Sequence, residues 1–284
     1  MTAMRPPTPR ASVIIPAHNE ARVIHRCLQS LEDSGLPLDI VVAANGCTDS
    51  TVEVASSFAG VTVLDLPEPS KVAALNSGDA AAVAYPRVYL DADISLSPTA
   101  LADLVRALDT DRAIAAAPQV RFATDAASWP VRAFYDVFRE LPYVRDQLVG
   151  LGVYGLSRSG RARFERFPAL TSDDLFVQRL FAPDERIVVP STFEVQVPRT
   201  LSNLIAVRVR VAKGNRQLAR EGDDSARGDF SPSTGGTATA LLGLVRSRPT
   251  TTPSVLVYLA VTLVARARAQ RAKAGAWERD ASTR

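Results

Sequence analysis

Residues 88–93 read VYLDAD and set two carboxylates, Asp91 and Asp93, directly after a short apolar run. The run Arg87–Leu90 is predicted to be a strand that ends at Asp91. Mg²⁺ and Mn²⁺ prefer oxygen ligands and often bridge one or two carboxylates to substrate phosphates. An Asp-x-Asp tripeptide alone is equally typical of a solvated turn, so its place in the fold decides between the two interpretations.

Strand-like runs alternate with helical patterns on both sides of this stretch. The predicted strands are Ser12–Ile15, Asp39–Ala43, Val61–Leu64 and Arg87–Leu90, and the predicted helices are Asn19–Glu32, one capped by Asp49, Ser70–Ala84 and one starting at Pro98. This alternation implies βαβ units and a mostly parallel sheet. Ligands bind at the carboxyl ends of the strands in such sheets, and VYLDAD lies at one of those ends. The metal interpretation is therefore preferred.

The second half of the chain is less regular after Pro118. Its predicted elements are a helix at 129–148, a Gly-rich strand at 150–156, a helix from Asp173 to Phe181, a strand at 187–197, a basic helix at 201–219 and a last helix at 254–277. We predict a flexible N-terminus over 1–10, a catalytic domain over 11–220, a mobile loop rich in Gly, Ser, Asp and Pro over 221–237, and a helical extension over 238–284.

Composition excludes several classes of protein. Hydrophobic residues make up 46% and charged residues 22%, which suits an ordinary globular core. A formal net charge of +3 is too small to indicate a nucleic-acid partner. Cys27 and Cys47 are expected to be reduced thiols. No apolar run reaches the length of a membrane-spanning helix, the longest being 255–265, so we expect a cytoplasmic protein with peripheral membrane attachment as the alternative.

Polar clusters follow three of the predicted strands, at His18–Glu20, Asn45–Asp49 and Asp91–Asp93. Residues 16–20, PAHNE, follow the first strand, where backbone amides can receive a nucleotide, although Asn and Glu there also suit a helix cap. Lys71 opens a helix beside the expected cleft and could contact a base or a phosphate, whereas a lone lysine is usually a surface residue.

Two charged segments lie further along the chain. Asp173 and Asp174 open a helix, where one acid could serve as a general base, although the helix dipole alone favours acids there. The basic helix carries Arg208 and Lys213, which could close over a pyrophosphate or simply form a solvated face.

Five stretches, taken together and in order, resemble the family-2 glycosyltransferases with the GT-A fold. They are SVIIPAHNE at 12–20, NGCTDST at 45–51, KVAALNSG at 71–78, YLDADI at 89–94 and TSDDLFV at 171–177. Each motif is moderately specific, but five in the same order are much more so. The resemblance runs from Ser12 to about Gln217, which is most of the chain.

The resemblance implies an α/β GT-A fold with a mostly parallel sheet and an inverting transfer from a nucleotide-diphosphate sugar. It implies a Mg²⁺ or Mn²⁺ ion held by Asp93 with Asp91, and Asp174 as the base with Asp173 to orient or cap. The residues that it places at the nucleotide-sugar are Pro16, Ala17, Asn19, Glu20, Asn45, Lys71, Asp91 and Ala92, joined by Arg208 and Lys213. The acceptor is expected to be a small molecule, a lipid-linked molecule or a glycan.

The chain departs from the family pattern at several positions. His18 stands where many members have an aromatic residue, and Ala44 and Asn45 stand where many have acids. Asp173 replaces a common Glu. The Gln-x-x-Arg-Trp motif of processive members is absent, which favours transfer of a single sugar.

Two alternatives and one question of assembly stay open. A sugar nucleotidyltransferase would usually carry a Gly-rich basic loop after the first strand, which PAHNE is not. The altered second loop would also permit a non-catalytic nucleotide-sugar-binding protein. The C-terminal helices are expected to pack on the catalytic domain or in a homodimer, or to contact a membrane surface.

Overall fold

Four parallel strands form the first half of the central sheet. The computed structural model of the chain describes residues 8–145, 152–168, 173–221 and 234–271. The strands β1 (Ala11–Ala17), β2 (Leu38–Asn45), β3 (Val61–Leu66) and β4 (Arg87–Leu90) lie in the order β3-β2-β1-β4. Their β-branched side chains, such as Val13, Ile14 and Val42, are fully buried. The predicted parallel sheet is confirmed, with strands one or two residues longer than expected at some of their ends.

Three more strands complete a seven-stranded sheet. They are β5 (Ala115–Ala123), β6 (Val153–Leu156) and β7 (Arg186–Gln196), and the full order is β3-β2-β1-β4-β6-β5-β7. Strand β6 runs antiparallel to both β4 and β5. Strand β5 was not predicted, because Pro118 lies inside it and proline usually argues against a strand in the middle of a sheet.

Four helices connect the first strands: α1 (Ile24–Glu32), α2 (Thr51–Ser56), α3 (Lys71–Ala81) and α4 (Pro98–Leu108). Ser70 and Ser97 cap α3 and α4 by accepting hydrogen bonds from backbone N–H groups. Helix α1 begins at Ile24 and not at Asn19 as predicted, because Asn19 has a φ of 55°, which no helical residue adopts.

The later helices are α5 (Trp129–Phe138), α6 (Pro142–Arg145), α7 (Arg158–Arg161), α8 (Asp173–Arg179), α9 (Leu201–Glu221), α10 (Thr234–Ser247) and α11 (Thr252–Arg271). The helix predicted over 129–148 is wrong as one element, since α5 ends before Pro142, which cannot donate a backbone hydrogen bond within a helix. The predicted residues 146–148 and 272–277 lie outside the described ranges.

The described chain forms two compact units. The first holds residues up to 121, 152–168 and 173–194, and the second holds 122–145, 195–221 and 234–271. The predicted domain limits stay a prediction. Most of the predicted mobile loop, 222–233, and most of the predicted flexible N-terminus, 1–7, lie outside the described residues, and Glu221 and residues 234–237 are helical.

Helix α11 packs on α5 and α9 within the second unit. The rings of Tyr258 and Phe134 stack with centroids 5.2 Å apart. The segment Pro249–Arg271 is long and apolar enough to cross a membrane by length and composition. That finding corrects the expectation that no stretch reaches this length, which rested on the uninterrupted run 255–265 alone.

Candidate functional site

The candidate site lies at the carboxyl edge of the parallel strands. Strand β1 ends at Ala17, β2 ends at Asn45 and β4 ends at Leu90, so the segments that follow them meet at one edge of the sheet. Predicted site residues of the first unit on these segments are Pro16, Ala17, Asn19, Glu20, Asn45, Asp91, Ala92 and Asp93. Lys71 at the start of α3 and Asp173 at the start of α8 join them through direct ion pairs described below.

The loop after β1 is locked to the loop after β2. Asn19 takes up a left-handed conformation, which asparagine tolerates better than most residues. Its Oδ1 accepts hydrogen bonds from the backbone N–H groups of Thr48, at 2.7 Å, and Asp49, at 3.2 Å. The backbone N–H of Glu20 donates to Oγ1 of Thr51 at 2.7 Å. The two loops therefore form one surface at the edge of the sheet.

Asn45 is 2% exposed and holds three backbone segments together. Its Nδ2 donates to the carbonyl oxygens of Ala17, at 2.8 Å, and Ala43, at 3.3 Å, and its Oδ1 accepts from the backbone N–H of Ser70 at 3.0 Å. Nδ1 of His18 lies 2.6 Å from the carbonyl oxygen of Asn45, so that nitrogen carries the proton and donates it. The Asn45 side chain therefore shapes the loop from beneath.

Lys71 joins the two acidic segments of the site. Its Nζ lies 2.9 Å from Oδ1 of Asp91 and 3.0 Å from Oδ1 of Asp173. Burial opposes the charge of Lys71, but Asp173 and Asp91 outweigh it, so the pKa of Lys71 stands well above its usual value. The ammonium is therefore a fixed cation, and it holds the start of α8 close to the end of β4.

Tyr154 completes the hydrogen bonding of Asp173. The Tyr154 hydroxyl donates to Oδ2 of Asp173 at 2.9 Å, while Lys71 binds Oδ1. Burial, and then the charge of Asp173, raise the pKa of Tyr154 well above its usual value, so the phenol stays protonated. Both oxygens of Asp173 are thus bound, and its side chain is 9% exposed. Asp174, the next residue, is half-buried.

A buried charge cluster supports this arrangement from within the first unit. Asp79 accepts two hydrogen bonds from Arg161, at 2.6 and 3.0 Å, pairs with Arg87 at 2.7 Å and accepts from the Tyr89 hydroxyl at 2.6 Å. Burial opposes ionisation of Asp79, but Arg161, Tyr89 and Arg87 outweigh it and lower its pKa. The Tyr89 ring stacks on that of Tyr154, with centroids 5.0 Å apart.

Neither Tyr154 nor the members of this cluster were predicted from the sequence. A signal was present, because Asp79 lies between Gly78 and Ala80 in an Ala-rich helix, and Arg87 opens a strand whose other residues are apolar or aromatic. Charged residues are almost never buried unless they are paired. Which residues pair across 82 positions, as Asp79 and Arg161 do, cannot be read from local spacing.

The donor set for a metal ion is small. In the ranges that the structure describes, no group of three or more His, Cys, Asp or Glu side chains could hold a metal ion. Asp93 is exposed in the turn that follows β4, and Asp91 is partly exposed. One or two carboxylates suit Mg²⁺ or Mn²⁺ when substrate phosphates and water supply the other ligands, so the residues present fit such an ion.

Arg208 and Lys213 lie on α9 in the second unit. The Arg208 guanidinium lies 4.9 Å from the centre of the Phe138 ring and 5.5 Å from that of Phe134. Cations over aromatic faces are attracted by the ring quadrupole, so this arginine has a packing role of its own. Lys213 is half-buried one and a half turns further along the helix.

Comparison with known proteins gives the site its context. A family model described as "Glycosyl transferase family 2" matches residues 12–165. Chondroitin synthase of Pasteurella multocida is 30% identical over 112 residues, which are 38% of this chain and 12% of the relative. The 4,4'-diaponeurosporenoate glycosyltransferase of Staphylococcus aureus is 42% identical over 55 residues, 19% of this chain and 14% of the relative. The chain thus spans only a small part of these curated relatives.

Solved structures share the fold over most of the chain. Mannosyltransferase PcManGT from Pyrobaculum calidifontis, in complex with GDP-Man and Mn²⁺, superposes with a TM-score of 0.66 at 21% identity, over 92% of this chain and 87% of the other. TarS residues 1–349 from S. aureus superpose with a TM-score of 0.52 at 14% identity, over 92% and 91%. The GT-A fold expected from the sequence is confirmed.

Proposed function

Because this chain belongs to glycosyltransferase family 2, we propose that it moves one sugar from a nucleoside-diphosphate donor to an acceptor hydroxyl with inversion. That it is a glycosyltransferase using a nucleotide-sugar follows from the family. One observation above all supports the proposal that the transfer is inverting and metal-assisted. Lys71 binds Asp91 and Asp173 at once, and so links the acid after β4 to the acidic pair on α8.

The proposed donor site is the carboxyl edge of β1, β2 and β4. Its proposed contacts are Pro16, Ala17, Asn19, Glu20, Asn45, Lys71, Asp91 and Ala92, which lie at the strand ends where ligands bind in α/β sheets. PcManGT binds GDP-Man and TarS binds UDP, so guanine and uracil nucleotides are the first donors to examine. Arg208 and Lys213 are also proposed to contact the diphosphate, and this proposal rests on the sequence alone.

Asp93, with Asp91, would hold Mg²⁺ or Mn²⁺ against the donor diphosphate. A bound ion of this kind supplies Lewis-acid stabilisation of the charge that the leaving diphosphate develops. The Lys71 ammonium lies beside Asp91 and adds a fixed positive charge to the same region. Such preorganised charges stabilise a transition state without reorganising during the reaction.

Asp174 is the proposed general base. It would take the proton of the acceptor hydroxyl while that oxygen attacks the anomeric carbon. The bond from this carbon to the diphosphate breaks in the same step, and its electron pair leaves with the nucleoside diphosphate. Asp173 is less suited to this role, because Lys71 and the Tyr154 hydroxyl already bind its two oxygens. Asp173 is therefore proposed to fix the start of α8.

Two variants compared side by side test the mechanism. In Asp174→Asn the base is lost with little change in shape, so turnover should fall about 10²–10⁴-fold while donor affinity is kept. In Asp173→Asn the contacts with Lys71 and Tyr154 are weakened, so both stability and turnover should fall. If Asp174→Asn turned over normally while a well-folded Asp173→Asn were inactive, Asp173 and not Asp174 would be the base. Full activity of both would refute the mechanism.

The alternatives make different products. A sugar nucleotidyltransferase would release pyrophosphate from a nucleoside triphosphate and a sugar phosphate. A non-catalytic binding protein would bind a donor without hydrolysing or transferring its sugar. Incubation with donor and Mn²⁺ tests for released nucleoside diphosphate, which only the glycosyltransferase forms, and a second incubation with a nucleoside triphosphate and a sugar phosphate tests for released pyrophosphate. Acceptors of the three proposed kinds, small molecules, lipid-linked molecules and glycans, belong in the same assay, and the cytoplasmic location stays a prediction.

A further inference from the structure

Helix α11 presents apolar residues on two opposite faces. Val255, Tyr258 and Val261 are buried on the face that packs on α5 and α9. The other face carries a leucine row, defined as Leu256, Leu259 and Leu263, whose residues are 61%, 40% and 64% exposed. A spacing of three and then four residues puts these side chains in one line along a helix. The leucine row is therefore a continuous apolar strip on the surface.

The same region is basic and contains no acid. Residues 234–271 carry five arginines and neither Asp nor Glu. The arginines are Arg246, Arg248, Arg266, Arg268 and Arg271, and all five are exposed. Arg248 lies 3.8 Å from Glu140, an acid of the same unit. The three arginines of α11 follow the leucine row directly along the helix. A partner for this surface has to supply both anionic groups and an apolar layer.

We infer that α11 lies in the plane of an anionic lipid bilayer, with the leucine row in the acyl boundary and Arg266, Arg268 and Arg271 at the headgroups. Helices with an apolar strip and flanking arginines bind membranes in this way. The helix does not cross the bilayer, because its opposite face packs on α5 and α9 and holds Tyr258 against Phe134. Peripheral attachment accounts for the packing of one face of α11 on α5 and α9 and for the exposed leucine row on the other.

Two other partners fit the surface less well. A second copy of the chain would bring its own residues 234–271, which contain no acid to meet the arginines. A nucleic acid would supply anions but no apolar layer for the leucine row. Each arginine near an anionic bilayer strengthens binding by about fivefold. Loss of the three arginines of α11 should therefore weaken binding on the order of 100-fold.

Sedimentation of the full chain with vesicles tests this inference. The vesicles contain phosphatidylcholine with about one-third phosphatidylglycerol, and vesicles of phosphatidylcholine alone serve for comparison. The wild-type chain should sediment with the anionic vesicles at low salt and much less with the neutral ones. High salt should weaken the binding, since ions screen charges at a surface. The arginine variant R266Q/R268Q/R271Q and the leucine variant L256Q/L259Q/L263Q should both lose most of the binding.

Matched variants separate this surface from general effects. R106Q/R112Q/R166Q removes the same charge from exposed positions of the first unit, and Val83→Gln changes an exposed valine there. Both should bind like the wild type, and thermal unfolding checks that every variant is folded. Absence of binding by the wild type, or equal losses in the two arginine triples, would overturn the inference. A dimer in vesicle-free solution that the leucine variant abolishes would overturn it in favour of a second copy. The readout is independent of glycosyl transfer.

Discussion

At the scale of single residues, the Tyr154 hydroxyl is the group whose role is most specific. It donates to one oxygen of Asp173 while its ring stacks on Tyr89. Removal of the hydroxyl alone keeps the stack and leaves one oxygen of a buried carboxylate without its donor. Leaving a buried polar group without its partner lowers the free energy of unfolding by about 1–3 kcal/mol. That loss is a sizeable part of the stability of a whole domain.

Tyr154→Phe should therefore lower the free energy of unfolding by about 1–3 kcal/mol. It should also lower kcat with little change in donor affinity, because Asp173 neighbours the proposed base and not the nucleotide. Chemical denaturation and steady-state kinetics measure the two effects. Tyr85→Phe removes the same atom from a half-buried tyrosine whose ring lies 4.5 Å from the Arg87 guanidinium, and it should change neither quantity. Unchanged kcat in Tyr154→Phe would show that the hydroxyl does not position the acid.

Gly152 lies against the Asp91 side chain and leaves room for it. Its φ is 84°, and a Cβ added there would lie 2.9 Å from Cγ1 of Ile94 and 3.2 Å from Oδ2 of Asp91. Gly152→Ala should cost about 1–3 kcal/mol of stability through backbone strain and also weaken donor binding by displacing Asp91. Gly60→Ala is the control, since Gly60 has a φ of 79° with open space around it. Equal losses of donor affinity in both variants would contradict the role given to Gly152.

At the scale of elements, α3 connects the candidate site to the core. Lys71 at its first turn reaches the acids, Asn76 binds both backbone groups of Phe167, and Asp79 two turns after Lys71 joins the buried arginines. Helix α3 therefore fixes the position of Lys71, at the edge of the sheet, relative to the buried charge cluster. Its limits were predicted within three residues at either end, because Ser70 is a clear N-cap.

Asp79→Asn should destabilise the fold by about 3–5 kcal/mol, because Arg87 and Arg161 would be left buried without their counter-charge. The folded pKa of Asp79 is lowered, so its ionised form stabilises the wild type above the ordinary carboxyl pKa and loses that contribution as the pH falls. The difference between the wild type and Asp79→Asn should therefore shrink in acid. Asp103→Asn breaks only the surface pair with Arg106 and should cost at most about 1 kcal/mol. A similar loss in both variants would refute the role of the cluster.

Local signals predicted the first half of the fold and failed where distant contacts decide. Strand β4 and helix α4 have the predicted starts, because apolar runs and the Pro98 start are local features. Strand β5 pairs with β6, a segment about 40 residues later, and that pairing outweighs the presence of Pro118. Lys71, itself a predicted site residue, contacts both Asp91 and Asp173, whereas Tyr154, which binds Asp173 from β6, was not predicted.

At the scale of the whole molecule, charge is divided unevenly along the chain. The net charge is +3, yet residues 234–271 alone contribute five positive charges, so the rest of the chain is net negative. The C-terminal helices and the basic helix α9 are thus the basic parts of the chain, and the remainder is acidic. This uneven distribution of charge supports the peripheral attachment inferred for α11. An anionic surface attracts a basic segment over a long range, even when the net charge of the chain is small.

A bound donor should stabilise the folded molecule as a whole. At a donor concentration about 100 times Kd, mass action contributes about 2.7 kcal/mol, which raises the thermal midpoint measurably. Guanine and uracil nucleotide sugars are screened with Mn²⁺ and with a chelator. Asp93→Asn should lose the part of the shift that depends on Mn²⁺, whereas Asp111→Asn, at an exposed acid before β5, should keep it. An equal shift with the chelator would argue against a metal at Asp93.

The buried Asn45 also bears on the chemical ageing of the molecule. Asn45 precedes Gly46, and an asparagine before glycine readily deamidates in an unfolded chain through attack of the glycine nitrogen on the side-chain amide. In the fold, that nitrogen donates to the carbonyl oxygen of Leu66 at 2.7 Å, and the Asn45 amide is held by Ala17, Ala43 and Ser70. Folding therefore protects the peptide bond of the second loop from isoaspartate formation, and isoaspartate at residue 45 would record how long a sample had been unfolded.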